Sequence, residues 1–289
     1  YPASAQSADS FNGIIARAFG EPADAREFAS LAQWVNYDGY RAIFEARSEQ
    51  RQGMILWMSH PAWPSMVWQT YDYYFEPTGA YFGSKKACEP LHILWNPVKE
   101  DVEVVNYHSG DKTGLMARAR LVNLDGSTVW SRKAALDIPE DRTVACFPLE
   151  FPSDLTEVYF IKLELADASG KVLSENFYWR GREEGNLKAL RTVAEASPSY
   201  KVSRESTESG YCFTVTLSND GQVPALMLRL KALDSATGDL VLPVWYSDNY
   251  FFLMPGESRT VTVKVRREDC AGRPYVSLSG LNVPETSLR

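Results

Sequence analysis

A chain of 289 residues that is 45% hydrophobic and 23% charged has the composition of a globular protein of two or three domains. Its net charge of −7 argues against nucleic acid and membrane as partners, because both select a basic face. No apolar stretch approaches the roughly 20 residues of a spanning helix, and no signal-peptide pattern opens the chain. Tyr1 stands where a start methionine would, so the sequence reads as a fragment or a processed product.

Residues 1–96 read as helices around one buried strand. Ser10–Phe19 and Ala23–Arg47 carry apolar side chains at helical spacing, in the second case Phe28, Leu31, Trp34, Val35, Tyr37, Ile43 and Phe44. Pro22 suits the first turn of that second helix. Glu45 and Glu49 lie one turn apart and read as solvated. Met54–Met58 is a short apolar run of the kind a fully buried strand requires. Behind it, His60-Pro61 and Trp63-Pro64 end any regular ladder. The 22 residues from Gly53 to Tyr74 contain six Trp or Tyr. Two readings stay open for this run: ring faces presented to a sugar, or a core strand with an aromatic plug behind it. Asp72 either binds a sugar hydroxyl or braces the loop by accepting backbone N–H groups, and Glu76 reads as a loop acid. Tyr81–Glu89 is a further helix, ending at Pro90. Helix, strand, long loop, helix is the grammar of an α/β barrel, and one strand cannot make a sheet, so the segment reads as the end of a barrel domain.

From residue 97 the pattern turns to short alternating stretches. Val102–Val105, Leu115–Leu124, Thr128–Leu136, Thr143–Phe147, Tyr159–Leu165 and Leu173–Trp179 are separated by turn signals such as Asn123-Leu-Asp-Gly126 and Asp167-Ala-Ser-Gly170. Residues 97–182 therefore read as an antiparallel sandwich of immunoglobulin type. A polar connector follows, and then Tyr200–Ser203, Tyr211–Leu217, Ala225–Leu233, Tyr250–Leu253, Ser258–Val265 and Tyr275–Leu281 repeat the style, giving a second sandwich over 183–289. The fold class is mostly β: two immunoglobulin-like sandwiches preceded by the C-terminal remnant of a (β/α)8 barrel. Cys88, Cys146, Cys212 and Cys270 lie far apart and read as isolated buried thiols. His60, His92 and His108 are scattered, so neither a metal nor a cofactor is expected.

At these residues the chain resembles a known family. The spacing Gly53-x3-Trp57-x5-Trp63-Pro64-x3-Trp68-x3-Asp72-Tyr73 is similar to the last barrel strand and following loop of family 2 glycoside hydrolases, in the exo-β-D-glucosaminidase and endo-β-mannosidase subgroup. Gly79 to His92 resembles the same subgroup's final barrel helix. Asn176-Phe-Tyr-Trp179 and Leu242 to Glu257 resemble signatures of its two C-terminal sandwiches. The resemblance implies a retaining β-glycoside hydrolase with two glutamates about 5–5.5 Å apart, both on earlier barrel strands and so outside this chain. It implies that the chain alone is inactive, and that its partners are a β-linked oligosaccharide and the remainder of the barrel. It also implies an extracytoplasmic location. Trp57 would form the floor of the terminal sugar site, against the alternative of a buried barrel Trp. One of Trp63 and Trp68 would line the pocket while the other packs behind. His60 stands where such relatives usually carry Asn, which changes the hydrogen bonding offered there, unless it is simply a solvent-facing loop residue. The other standing alternative is a non-catalytic carbohydrate-binding or scaffold module.

Overall fold

The computed structural model describes residues 8–46, 53–65 and 69–288. Three helices come first: α1 (Ala8–Phe19), α2 (Ala25–Glu45) and α3 (Gly79–Ala87). Seven strands follow: β1 (Leu91–Asn96), β2 (Asp101–Asn106), β3 (Lys112–Asn123), β4 (Thr128–Ile138), β5 (Arg142–Pro148), β6 (Val158–Ala166) and β7 (Val172–Gly181). Eight more complete the chain: β8 (Ser199–Ser206), β9 (Gly210–Ser218), β10 (Ala225–Asp234), β11 (Val244–Tyr246), β12 (Phe251–Leu253), β13 (Ser258–Arg266), β14 (Pro274–Ser279) and β15 (Thr286–Leu288). They form two compact units. One holds the helices ahead of Met54 and residues 83–192; the other holds residues 55–82 and the chain from Val193 onward.

The first unit is built on a sandwich of two antiparallel sheets, ordered β1-β2-β5 and β4-β3-β6-β7. Alternation along β3 and β6 turns Leu115, Ala117, Ala119, Leu121, Ile161, Leu163 and Leu165 inward against Ile93, Val102 and Val104. The sandwich begins at Leu91, with β1 paired antiparallel to β2, so the boundary expected at residue 97 falls one strand too late. Helix α2 starts at an Asp24 cap, whose carboxylate accepts from the Glu27 N–H at 2.8 Å, while Glu27 reaches back to the Ala23 N–H at 2.6 Å. Pro22 thus precedes the cap and does not enter the first turn. The buried face of α2 carries Leu31, Trp34, Tyr37 and Arg41. Trp34, fully buried, meets Phe19 edge-on at 6.0 Å and Trp179 of β7 at 4.9 Å. At Gly83 a Cβ would stand 2.2 Å from the Tyr37 carbonyl oxygen, so only glycine permits that approach of backbones.

The second unit carries the other sandwich, with sheets β11-β13-β9-β8 and β12-β10-β14-β15. Phe213, Val215, Leu217, Leu228, Leu230, Val261, Val263 and Val276 fill its interior. The segment Trp245 to Tyr250 is structural in this geometry. Buried Asn249 accepts from the Leu230 N–H at 2.8 Å and donates to the Leu230 carbonyl at 3.0 Å, replacing a strand neighbour for β10. Asp248 pairs with Arg259, and the Tyr246 hydroxyl accepts from the Ala232 N–H at 3.2 Å.

The buried strand expected at Met54–Met58 is absent. The segment is irregular, and Met54, Ile55, Trp57 and Met58 are 42%, 94%, 81% and 39% exposed. A run of apolar residues becomes a strand only where neighbouring strands take up its N–H and C=O groups, and no described strand of this chain lies alongside it. The four cysteines are free thiols, but Cys88 is exposed and the other three are partly covered, not buried as expected.

Candidate functional site

The aromatic loop belongs to the second unit, and polar contacts close it at its base. The Tyr71 N–H donates to the Ser59 carbonyl at 2.9 Å and the Thr70 hydroxyl to the same oxygen at 3.0 Å. The Thr78 hydroxyl reaches the Thr70 carbonyl at 3.0 Å. At the tip, Asp72 organises a tight turn: one carboxylate oxygen accepts from the N–H groups of Tyr74 and Glu76, each at 2.8 Å. The backbone of Asp72 bonds Phe75 and Glu76 as well, both at 3.1 Å. Phe75 adopts a left-handed φ of 69°, a costly conformation for a bulky residue that this turn enforces. Its ring stacks on His60 at 4.3 Å, and the His60 Nε2 lies 3.3 Å from the Tyr73 carbonyl oxygen. Glu76 leaves the turn to pair with Arg229 of β10, whose guanidinium also faces the Tyr250 ring at 5.6 Å. Glu76, expected as a plain loop acid, is therefore the loop's tie to the sandwich.

These contacts place the four expected sugar-binding residues differently. Trp57 is 81% exposed and Trp63 is 61% exposed, so both indoles present faces to solvent. His60 and Asp72 come together on one wall of a groove of about 1000 Å³. Tyr73, Tyr74 and Phe75 line that groove from the loop, and Arg229, Lys231, Asp239 and Asp269 line it from the sandwich. Trp57 and Trp63 are not among its lining residues. Asp72 does the bracing that was one of its two readings. Trp68 lies outside the described residues.

A second polar cluster sits in the first unit, where helix α2 faces β1 and β7. Glu45, expected to be solvated, is buried, and Glu49 lies outside the described residues. Glu45 takes hydrogen bonds from Asn176 at 2.7 Å and Tyr178 at 2.9 Å, and its Oε1 is 2.9 Å from the His92 Nε2. The other His92 nitrogen faces Glu89 at 3.2 Å, and Glu89 also accepts from Ser174 at 2.7 Å and Lys86 at 2.7 Å. Arg41 donates to the Asn176 side chain at 3.0 Å and to the Phe177 carbonyl at 2.5 Å, pairs with Asp38, and lies over the Tyr178 ring at 4.1 Å. Burial alone would push the His92 imidazole down, but the bonds to Glu45 and Glu89 outweigh it and hold it above its ordinary value. Burial likewise opposes ionisation of Glu89, yet His92 and Lys86 bring it down to about 2. The cluster is a set of paired, buried charges, with the Arg41 Nε as the one atom left without a hydrogen bond, and it suits locking a helix against the sheet. Among the described residues, no three His, Cys, Asp or Glu side chains are grouped as a metal site.

Comparison with known proteins agrees with this picture on both sandwiches. Residues 99–181 match the mannosidase Ig/CBM-like domain and residues 176–283 match the exo-β-D-glucosaminidase Ig-fold domain. The exo-β-D-glucosaminidase of Streptomyces avermitilis is 33% identical over 96% of this chain and 34% of that protein. The enzyme of the same name from Amycolatopsis orientalis is 33% identical over 94% of this chain and 29% of its own length. The crystal structure of the Amycolatopsis orientalis exo-chitosanase superposes with a TM-score of 0.90 at 30% identity, covering 97% of this chain and 36% of that one. Along nearly its whole length the chain is thus similar to exo-β-D-glucosaminidases. It spans about a third of the length of the curated relatives it matches.

One of the segments that carried the resemblance acquires a definite job. Asn176-Phe-Tyr-Trp179 alternates in β7 so that Asn176 and Tyr178 enter the polar cluster, and Trp179 packs on Trp34. The sequence reading missed Glu45, Glu89 and His92 as members of one cluster, because they are separated by up to 47 residues and share no spacing. It also missed Arg229, Asp239 and Asp269 as neighbours of the aromatic loop. A signal was present for the first set: two polar residues on the inward face of a strand demand buried partners.

Proposed function

We propose that the chain is the C-terminal portion of a retaining exo-β-D-glucosaminidase, and that it supplies one wall of the sugar site together with two bracing sandwiches. The observation that carries this reading is the match to enzymes of that name along 94–96% of the chain. In this reading the segment 53–78 corresponds to the last strand and following loop of a barrel whose other strands hold the acid/base and nucleophilic glutamates. Trp57 is the floor of the terminal sugar site: an indole face on a proline-rigid loop stacks on the C–H face of a pyranose. Trp63 extends that wall, and His60 and Asp72 shape the loop beside it. The exposed apolar run at 54–58 fits the same picture, since the barrel would cover it. Burying the Trp57 side chain would contribute on the order of 4 kcal/mol that the chain alone forgoes.

Release of p-nitrophenol from p-nitrophenyl β-D-glucosaminide tests the proposal. The purified chain is expected to give none. In a longer protein that contains this chain and hydrolyses the substrate, Trp57→Ala is expected to raise KM. Turnover by the purified chain, abolished in Trp57→Ala, would overturn the reading. A free-standing carbohydrate-binding module is less well supported. Phe213 is buried, and the exposed strand aromatics Tyr200 and Trp245 sit on β8 and β11, the opposite edges of one sheet, and form no row.

A further inference from the structure

In the second sandwich a depression of about 600 Å³ is lined by Arg204, Ser206, Tyr211 and Arg267 and by the chain from Cys270 to Arg273. Three of its lining residues are arginines and none is Asp or Glu, in a chain whose net charge is −7. The strand register explains how they meet. Residues opposite one another in an antiparallel pair share a face, and Arg204 of β8 is opposite Phe213 of β9, which is buried in the core. Ser206 is opposite Tyr211 on that same face, while Glu205 between them is opposite Cys212 and turns the other way. The connection from β13 to β14 then passes from one sheet to the other and brings Arg267 and Arg273 to the same place. Arg267 is fixed by neutral acceptors: its Nε and Nη2 reach the Thr207 carbonyl at 3.2 and 2.7 Å. Its Nη2 also donates to the Ser206 hydroxyl and its Nη1 to the Tyr211 hydroxyl, both at 2.8 Å. The charge of Arg267 is therefore held in place without being neutralised. Arg204 and Arg267 both lie against the Tyr211 ring, 5.8 and 4.6 Å from its centroid. Among the described residues, neither Arg204 nor Arg273 has a carboxylate partner, and the acids of the connection are engaged elsewhere. Glu268 and Asp269 pair with Arg266 at 2.8 and 3.7 Å, and Asp234 accepts from the N–H groups of Ala236 and Gly272, each at 2.8 Å. Three guanidiniums around one depression repel one another, and an anion among them removes that repulsion.

We propose that this depression is a binding site for a tetrahedral oxyanion, a sulfate or phosphate group, held between Arg204, Arg267 and Arg273. A carboxylate is planar and is satisfied by a single guanidinium fork. A sulfate or phosphate group presents oxygens in several directions at once, which matches donors arriving from β8 and from both ends of the β13–β14 connection. The Ser206 hydroxyl accepts from Arg267 and keeps its own proton for such an oxygen. The site shares no lining residue with the groove beside the aromatic loop, so it stands whether or not the glycosidase reading does.

The test is calorimetric titration of the 289-residue chain with sodium sulfate, sodium phosphate, glucose 6-phosphate and sodium acetate, at an ionic strength held constant with sodium chloride. Saturable binding of the tetrahedral anions, and none of acetate, is expected. Arg204→Gln and Arg273→Gln should each weaken it about two- to fivefold, the span for a solvent-accessible ion pair, and together they should abolish saturation. Arg132→Gln removes the same charge from β4 of the other sandwich and should leave the binding unchanged. Circular dichroism checks that each variant is folded. Tighter binding of glucose 6-phosphate than of phosphate supports the site as one for an ester, and equal or weaker binding supports it as one for the free ion. No saturable binding of any tetrahedral anion would overturn the proposal. So would acetate binding as tightly as they do, or a loss in Arg132→Gln equal to that in Arg204→Gln and Arg273→Gln.

Discussion

Two segments that resemble family signatures meet opposite fates in this chain. Asn176-Phe-Tyr-Trp179 is consumed: Asn176, Tyr178 and Trp179 are almost fully buried, and the Asn176 and Tyr178 side chains are hydrogen-bonded. Gly53 to Phe75 is left open: Ile55, Trp57, Trp63 and Tyr74 each expose more than half of their surface. Aromatic richness is common to both, so it does not separate them. What separates them is how much complement the chain supplies. Helix α2 supplies Trp34, Arg41 and Glu45 to the first, whereas the second is supported by its own turn, by Tyr81 of α3 against Tyr71 at 5.1 Å and by Arg229 of β10. A buried signature reports on stability, and an exposed one reports on a surface waiting for a ligand or a partner.

The contrast is most strongly tested at Glu45. Glu45→Ala leaves the His92 imidazole, Arg41 and the Tyr178 hydroxyl without their shared carboxylate in a dry interior, and should cost about 3–5 kcal/mol. A urea titration should show the loss in the first unit alone. A change under 1 kcal/mol, roughly the value of an exposed pair, would mean that the cluster is wet and the signature not consumed. Next comes Glu76→Ala, which strands the three-quarters-buried Arg229 and should cost about 1–3 kcal/mol, read in the second unit.

The cluster also sets a pH window. His92 is held above its ordinary value of 6.5, so its contribution is full below about pH 6.5 and fades as pH rises through the higher folded value. Glu89 is held down to about 2, so its contribution is full above its ordinary 4.5 and fades as pH falls toward 2. Glu45 is lowered in the same sense. The first unit should therefore be most stable between about pH 4.5 and 6.5. Urea midpoints across pH 3 to 9 check this, and His92→Gln should flatten the alkaline limb. Smallest of all is Trp57→Ala in this chain, where an 81% exposed indole should change stability by no more than about 0.5 kcal/mol. A cost of 2 kcal/mol would show that Trp57 is packed and would erase the comparison.

Strand positions were legible because β3, β9 and β13 alternate along most of their length, β6 reads as a buried run, and turn residues such as Asp125-Gly126 punctuate them. β1, β11 and β15 were not, since Leu91–Asn96 is buried along nearly its whole length and the other two have three residues each. Met54–Met58 misled for a physical reason: hydrophobic content shows that a segment can be buried, but pairing partners decide whether it is. In the site, Asp72 could be read from turn chemistry, where a carboxylate followed by two aromatics and Glu-Pro accepts its own downstream N–H groups. Arg229 and Asp269 could not, because the register of β10 and the course of the chain after β13 bring them to the loop.

The exposure of Trp57 and Trp63 also gives the molecule an optical signal of its own. Of its eight tryptophans, Trp34, Trp95 and Trp179 are buried, so these two, together with the half-exposed Trp245, carry much of the emission that an aqueous quencher such as iodide can reach. Any event that covers the loop, whether a docking partner or a sugar, should shift that emission to the blue and shield it. The loop can then be followed as a fluorescence titration, with Trp57→Phe and Trp63→Phe assigning the change to one ring or the other.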